Sequence, residues 1–291
     1  MSQAFDSIFE STIPTKLADG FVFAEGPVWH PDNLLYFSDI RDHKRYLLNV
    51  DTDGLKLIAE DTDGANGMTF NADGELVYCH MGKRRVSKTS RSGDEIAVAT
   101  HFAGKLLNAP NDIVPHSDGS LYFTNPQGRI SGPDAEIGYS GVYRIGSDGA
   151  VTEVCSGMNL PNGLAFSPDE SKLYVSNTRP DPKLLVFDMQ SDGTAVNGRV
   201  IDEMPLRGAT EKNGVPDGLK VDSVGRIFVT GPAGIWVWDE SEKFVGILEF
   251  DEVVTNLAWG GDDLRTMFVT AHSSVYSLRT IEPGIGLPVF E

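Results

Sequence analysis

The chain alternates repeatedly between two short apolar runs and a polar turn. In residues 160–178 the order is an oxygen-bearing residue (Asn162), an apolar run (Leu164-Ala165-Phe166), a turn (Ser167-Pro168-Asp169-Glu170) and a second run (Leu173-Tyr174-Val175). Branched and aromatic residues flanking turn formers predict two antiparallel strands. The same order returns at residues 25–40, 66–80, 111–126, 217–232 and 255–272. Further strand pairs follow these hairpins, several joined by Asp-Gly turns such as Asp53-Gly54, Asp148-Gly149 and Asp192-Gly193. Glycine accepts the positive φ of such turns at little cost.

Aligned on the residue four places later (Trp29, Phe70, Pro115, Phe166, Val221, Trp259), the lead residues are Glu25, Asn66, Asn111, Asn162, Asp217 and Thr255, spaced by 41, 45, 51, 55 and 38. That period belongs to propeller blades. The expectation is an all-β chain, a six-bladed β-propeller with four antiparallel strands per blade, occupying residues 1–291 as one domain. An open ring would expose sheet edges, and residues 4–22, which include the strand-like Ile13-Pro14-Thr15-Lys16-Leu17-Ala18, are placed to close the last blade.

The 291 residues carry 24 basic and 42 acidic side chains, a net charge of −18. Phosphate recognition requires a basic footprint, so nucleic acid and anionic membrane are not expected partners. The two cysteines, Cys79 and Cys155, fall in or beside strand patterns and read as buried free thiols. No run reaches the length of a membrane span and the N-terminus lacks a signal-peptide core, which predicts a cytoplasmic protein. Nothing in the sequence sets the oligomeric state.

Side chains at one register on the first strands of a propeller meet around its axis. Glu25 and Asp217 would bring two negative charges there, and Asn66, Asn111, Asn162 and Thr255 neutral oxygens. Two converging carboxylates repel unless one takes a proton or a cation lies between them. An all-oxygen set without His or Cys suits Ca²⁺; Mg²⁺, Mn²⁺, Fe²⁺ or Zn²⁺ are not excluded by these ligands. Taken singly, Asn-Gly and Asp-Gly are ordinary turn dipeptides; the shared register is what points to a metal. Asp217 is the candidate base or nucleophile. His272, at the end of the sixth hairpin, is a lesser candidate for the channel wall. The insertion at residues 127–140 adds Gln127 and Arg129, close after Asn125, as candidate substrate contacts.

With Ala24-Glu25-Gly26-Pro27-Val28-Trp29, Asn108-Ala109-Pro110-Asn111-Asp112, Leu160-Pro161-Asn162-Gly163 and Pro216-Asp217-Gly218-Leu219, the chain resembles the SMP-30/gluconolactonase/LRE-like family of calcium-dependent six-bladed propellers. The resemblance implies that Glu25, Asn162 and Asp217 bind the metal, with Asn111 as a further ligand or substrate contact. It also implies hydrolysis of a lactone, a small-molecule substrate, with Asp217 near the chemistry. Two departures bear on specificity. Asn125 stands where many relatives have aspartate, and Ala109 where animal members have an arginine that grips sugar hydroxyls. Arg129 or Gln127 are the candidates to replace that arginine, and a less polar lactone or another ester is the corresponding substrate. The competing expectations are a phosphotriesterase-type hydrolase on the same metal site, a non-catalytic binding propeller, and a strictosidine-synthase-like propeller.

Overall fold

The computed structural model describes residues 5–128, 130, 132–205 and 214–288. Within them the strands form six four-stranded antiparallel sheets and one two-stranded hairpin, His101–Phe102 with Lys105–Leu106. The first five sheets each run through four strands in chain order, beginning at Ala24–His30, Ala65–Phe70, Ile113–Pro115, Pro161–Phe166 and Leu219–Val221. In the sixth, Val254–Gly260, Thr266–Ala271 and Ser274–Arg279 are completed by Thr15–Asp19. This is the six-bladed propeller expected, closed by its N-terminal strand.

The core lies between the blades, because alternating side chains give every sheet two apolar faces. Phe228, Ile235 and Val237 of the fifth blade pack against Leu257, Trp259 and Met267 of the sixth. Phe5, Ile8 and Phe9 add to that cluster from ahead of the closing strand. Cys79 and Cys155 are free and buried.

Two features aim the lead residues at the axis. In the first, second and fourth blades the pairing of the first two strands slips between Glu25 and Val28, Ala65 and Met68, and Pro161 and Leu164. Such bulges bend a strand and redirect its side chains. Gly26 shows why glycine is needed: its φ is +58°, and an added Cβ would lie 2.4 Å from the Asn66 carbonyl oxygen.

The second feature is a belt of bonds from blade to blade. The N–H groups of Gly67, Gly163 and Gly218 donate to the carbonyls of Asn111 (2.9 Å), Asp217 (3.0 Å) and Thr255 (2.8 Å). Hydroxyls on the second strands reinforce it: Ser38 donates to the Asn66 carbonyl (3.1 Å), Thr124 to Asn162 (2.7 Å), Ser176 to Asp217 (2.5 Å) and Thr230 to Thr255 (2.8 Å). Backbone groups buried at the axis are thus paired without water.

Candidate active site

Glu25 is 2 % exposed and opens the first blade. Its Oε2 accepts the Gly26 N–H and the Asn256 Nδ2–H, the latter at 2.9 Å. Asp217 lies just ahead of strand Leu219–Val221, near enough to Glu25 and Asn162 for both to act on its charge. Burial and the Asp112 carboxylate push Glu25 up to about 7. Burial and Glu25 raise Asp217 well above the usual carboxylate range.

Asn162 donates from Nδ2 to Thr178 Oγ1 at 3.1 Å, while its Oδ1 is buried without a partner among the described residues. Asn66 likewise keeps an unpartnered, buried Oδ1. Asn66 and Asn111 meet over a shared neighbour, each placing Nδ2 4.0 Å from the Met81 sulfur. Two neighbouring carboxyl groups beside unpartnered amide oxygens are the donor types that suit a hard dication. No group of three His, Cys, Asp or Glu gathers among the described residues, so any cation here relies on amides as well as acids.

Thr255 does not turn inward: its hydroxyl donates to the Ala24 carbonyl at 2.7 Å, closing the belt between the sixth and first blades. Asn256, the next residue, projects toward Glu25 instead. Asn125 is fully buried with both amide atoms unpartnered among the described residues. Gln127 turns its Nε2 to the Ile130 carbonyl at 3.0 Å, and Arg129 lies outside the described residues. His272 stacks obliquely on Phe23 at 4.5 Å, with the Arg41 guanidinium over the same Phe23 ring at 4.2 Å. Burial and Arg41 lower its pKa.

Residues not anticipated from sequence are Met81, Asp112, Lys220 and Asn256. Lys220 lies 3.5 Å from Asp112 Oδ2 and 3.4 Å from Asn256 Oδ1. One signal could have found two of them. The residue after the lead is glycine in four blades, but aspartate (Asp112) in the third and asparagine (Asn256) in the sixth.

Further along the same first strands is a cavity of about 690 Å³, lined by Val28, Thr69, Val114, Ala165 and Ala258 with Lys220 at its wall. Residues 285–288 border it. Glu25, Asn162 and Asp217 are not among the residues lining this cavity.

The SMP-30/Gluconolactonase/LRE-like region model matches residues 23–273. The chain is 28 % identical to a gluconolactonase of Zymomonas mobilis, over 96 % of this chain and 85 % of that one. It is 29 % identical to a pentonolactonase of Haloferax volcanii, over 84 % and 80 %. A solved gluconolactonase from Xanthomonas campestris superposes with a TM-score of 0.85 at 26 % identity, covering 96 % of this chain and 93 % of that one. With its six blades, inward acids and a match spanning nearly the whole sequence, the chain belongs to the SMP-30/gluconolactonase/LRE-like family.

Proposed function

We propose that this chain is a metal-dependent lactonase whose site is the Glu25–Asn162–Asp217 cluster. The observation that carries the reading is the convergence of the Glu25 and Asp217 carboxyl groups, close enough for Glu25 to raise Asp217, beside the unpartnered Asn162 oxygen. The gluconolactonase and pentonolactonase relatives support the substrate class. Glu25, Asn162 and Asp217 would hold the cation, with Asn111 and Asn66 in the same ring, and the all-oxygen donor set favours Ca²⁺. A bound cation there supplies polarisation of the lactone carbonyl.

The protein's own groups supply the remainder. Asp217 takes a proton from water as its oxygen attacks the acyl carbon, the ring C–O bond breaks, and Asp217 returns the proton to the departing alkoxide oxygen. Atoms balance as lactone plus water to hydroxy acid. Asn162, beside Asp217, opposes the rise in its pKa and so favours the charged form that a base requires. Met81 sets an apolar wall against Asn66 and Asn111, consistent with a substrate that is not uniformly polar.

The test is metal analysis of the purified protein, with aldonolactones, alkyl lactones and a fluorophosphate assayed before and after chelation. The expected result is lactone opening that disappears with the chelator and returns with Ca²⁺. Turnover that survives complete metal removal would overturn the metal assignment. Hydrolysis of the fluorophosphate alone would select the phosphotriesterase reading, and metal binding with no turnover the binding-propeller reading. In a single turnover in ¹⁸O-labelled water, label recovered in the Asp217 carboxylate marks direct attack, since the base pathway sends the label into the hydroxy acid alone.

A further inference from the structure

Beneath the two acids the channel is crossed by Asp112 and Asn256, from the third and sixth blades, with Lys220 reaching them from the fifth. Elsewhere at this register the residue is glycine. A Cβ on Gly26, Gly67, Gly163 or Gly218 would come within 2.4, 2.3, 2.4 or 2.2 Å of a neighbouring atom. Only the third and sixth blades have room for a side chain here, and both carry polar ones.

The hydrogen bonds leave Asn256 one orientation. Its Oδ1 accepts the Leu257 N–H at 2.9 Å and faces the Lys220 ammonium at 3.4 Å. Its Nδ2 donates to Glu25 Oε2 at 2.9 Å and lies 3.5 Å from Asp112 Oδ2. Turning the amide over would set its oxygen against two carboxylates and its NH₂ against an ammonium and an N–H. Asp112 is fixed too, its Oδ1 accepting the Ile113 N–H at 2.9 Å while Lys220 lies 3.5 Å from its Oδ2. Asp112 and Asn256 are 3 % and 2 % exposed, so solvent offers little competition for these bonds.

We propose that Asn256 is a positioning residue for the metal site. With the Gly26 N–H it holds Glu25 Oε2 and leaves Oε1 to the cation, and Lys220 and Leu257 keep the amide turned the right way. The inference rests on Glu25 being a ligand. Outer partners of this kind typically contribute about 10–100-fold to metal affinity.

The experiment titrates Ca²⁺ calorimetrically into the metal-stripped wild type, Asn256→Leu and, as control, Thr69→Val. Thr69 faces the far cavity, and its hydroxyl has no hydrogen-bond partner among the described residues. The wild type is expected to bind one Ca²⁺, Thr69→Val to match it, and Asn256→Leu to bind about 10–100-fold more weakly with an unchanged near-ultraviolet circular dichroism spectrum. A folded Asn256→Leu whose Kd stays within about threefold of wild type overturns the proposal. A wild type that takes up no Ca²⁺ overturns the ligand reading itself. If Asn256→Leu does not fold, Asn256→Ser carries the same comparison, with room for a water in place of the amide.

Discussion

Glu25 and Asp217 are held together in a way that only protonation or a cation relieves, and this fixes their behaviour with pH. In the metal-free protein Glu25 keeps its proton up to about pH 7, whereas in the unfolded chain a glutamate loses it near pH 4.3. Between those values the folded state binds more protons than the unfolded state, so its contribution to stability falls as pH rises through that window. His80 acts in the opposite sense, its pKa lowered to about 4 by burial, and must be cancelled. The measurement is therefore the difference in Tm between wild type and Glu25→Gln, both chelated, from pH 5 to 8. The wild type should lose ground steadily, and added Ca²⁺ should restore it most at pH 8. Asp217→Asn follows from the same repulsion. It removes the second acid without changing shape, so the chelated variant should melt higher than chelated wild type at pH 8. Lactone turnover should meanwhile fall by about 10²-fold or more, the usual range for a lost general base. A variant that melts lower and keeps its rate would contradict both roles assigned to Asp217.

The hairpins place these residues, and at that level the sequence was legible in part. The alternation that surrounds Phe166 and Val175 shows directly which segments are strands, and the register of Glu25, Asn162 and Asp217 shows which side chains converge. What it hid was the second hydrogen-bonding layer. Ser38, Thr124, Ser176 and Thr230 sit inside apolar runs, where a small hydroxyl looks like an ordinary β-strand residue; only the folded ring shows each one donating to a carbonyl of the next blade. Thr255 was misplaced for the same reason, because the pattern cannot tell a hydroxyl aimed at the axis from one spent between blades. Lys220 was missed because its partners, Asp112 and Asn256, lie 108 and 36 residues away. The belt makes an element-scale prediction. Ser176→Ala removes the 2.5 Å hydroxyl donor of the Asp217 carbonyl, which the Gly163 N–H still reaches at 3.0 Å, and should cost about 0.5–1.5 kcal/mol. Gly163→Ala puts a Cβ 2.4 Å from the Leu219 nitrogen and should cost ~1–3 kcal/mol through overpacking. Both are read by denaturant titration, and because both loosen the segment bearing Asp217, turnover should fall with stability. A loss of stability with full activity would mean that Asp217 is held by something other than its backbone.

At the scale of the whole molecule, a ring is only as secure as its closure. The first and sixth blades are joined by the Thr255 bond to Ala24 and by the pairing of Thr15–Asp19 with Ser274–Arg279. The sequence pointed to the closing stretch, but not to the aromatic packing of its first residues. Phe9 sits edge-on to Phe228 at 6.2 Å, Phe228 edge-on to Trp259 at 5.1 Å, and Phe5 edge-on to Phe9 at 5.8 Å. The N-terminal segment therefore acts twice, pairing with the edge of the sixth sheet and wedging aromatic rings between the fifth and sixth. These two jobs can be separated. Phe9→Ala keeps the strand and empties the wedge, and a buried Phe→Ala change costs about 3–5 kcal/mol. Removing residues 1–19 takes both away and leaves Ser274–Arg279 as an unpaired edge, which invites pairing between molecules. The expected outcome is a Phe9→Ala variant that stays monodisperse but melts several degrees lower, at ~2–4 °C per kcal/mol for a large domain. The truncated chain should instead associate, its apparent Tm falling with protein concentration, as followed by light scattering during the melt. If the truncation remained monodisperse and melted no lower than Phe9→Ala, the closing strand would contribute nothing beyond its aromatic wedge, and the ring would be held shut by the blade-to-blade belt alone.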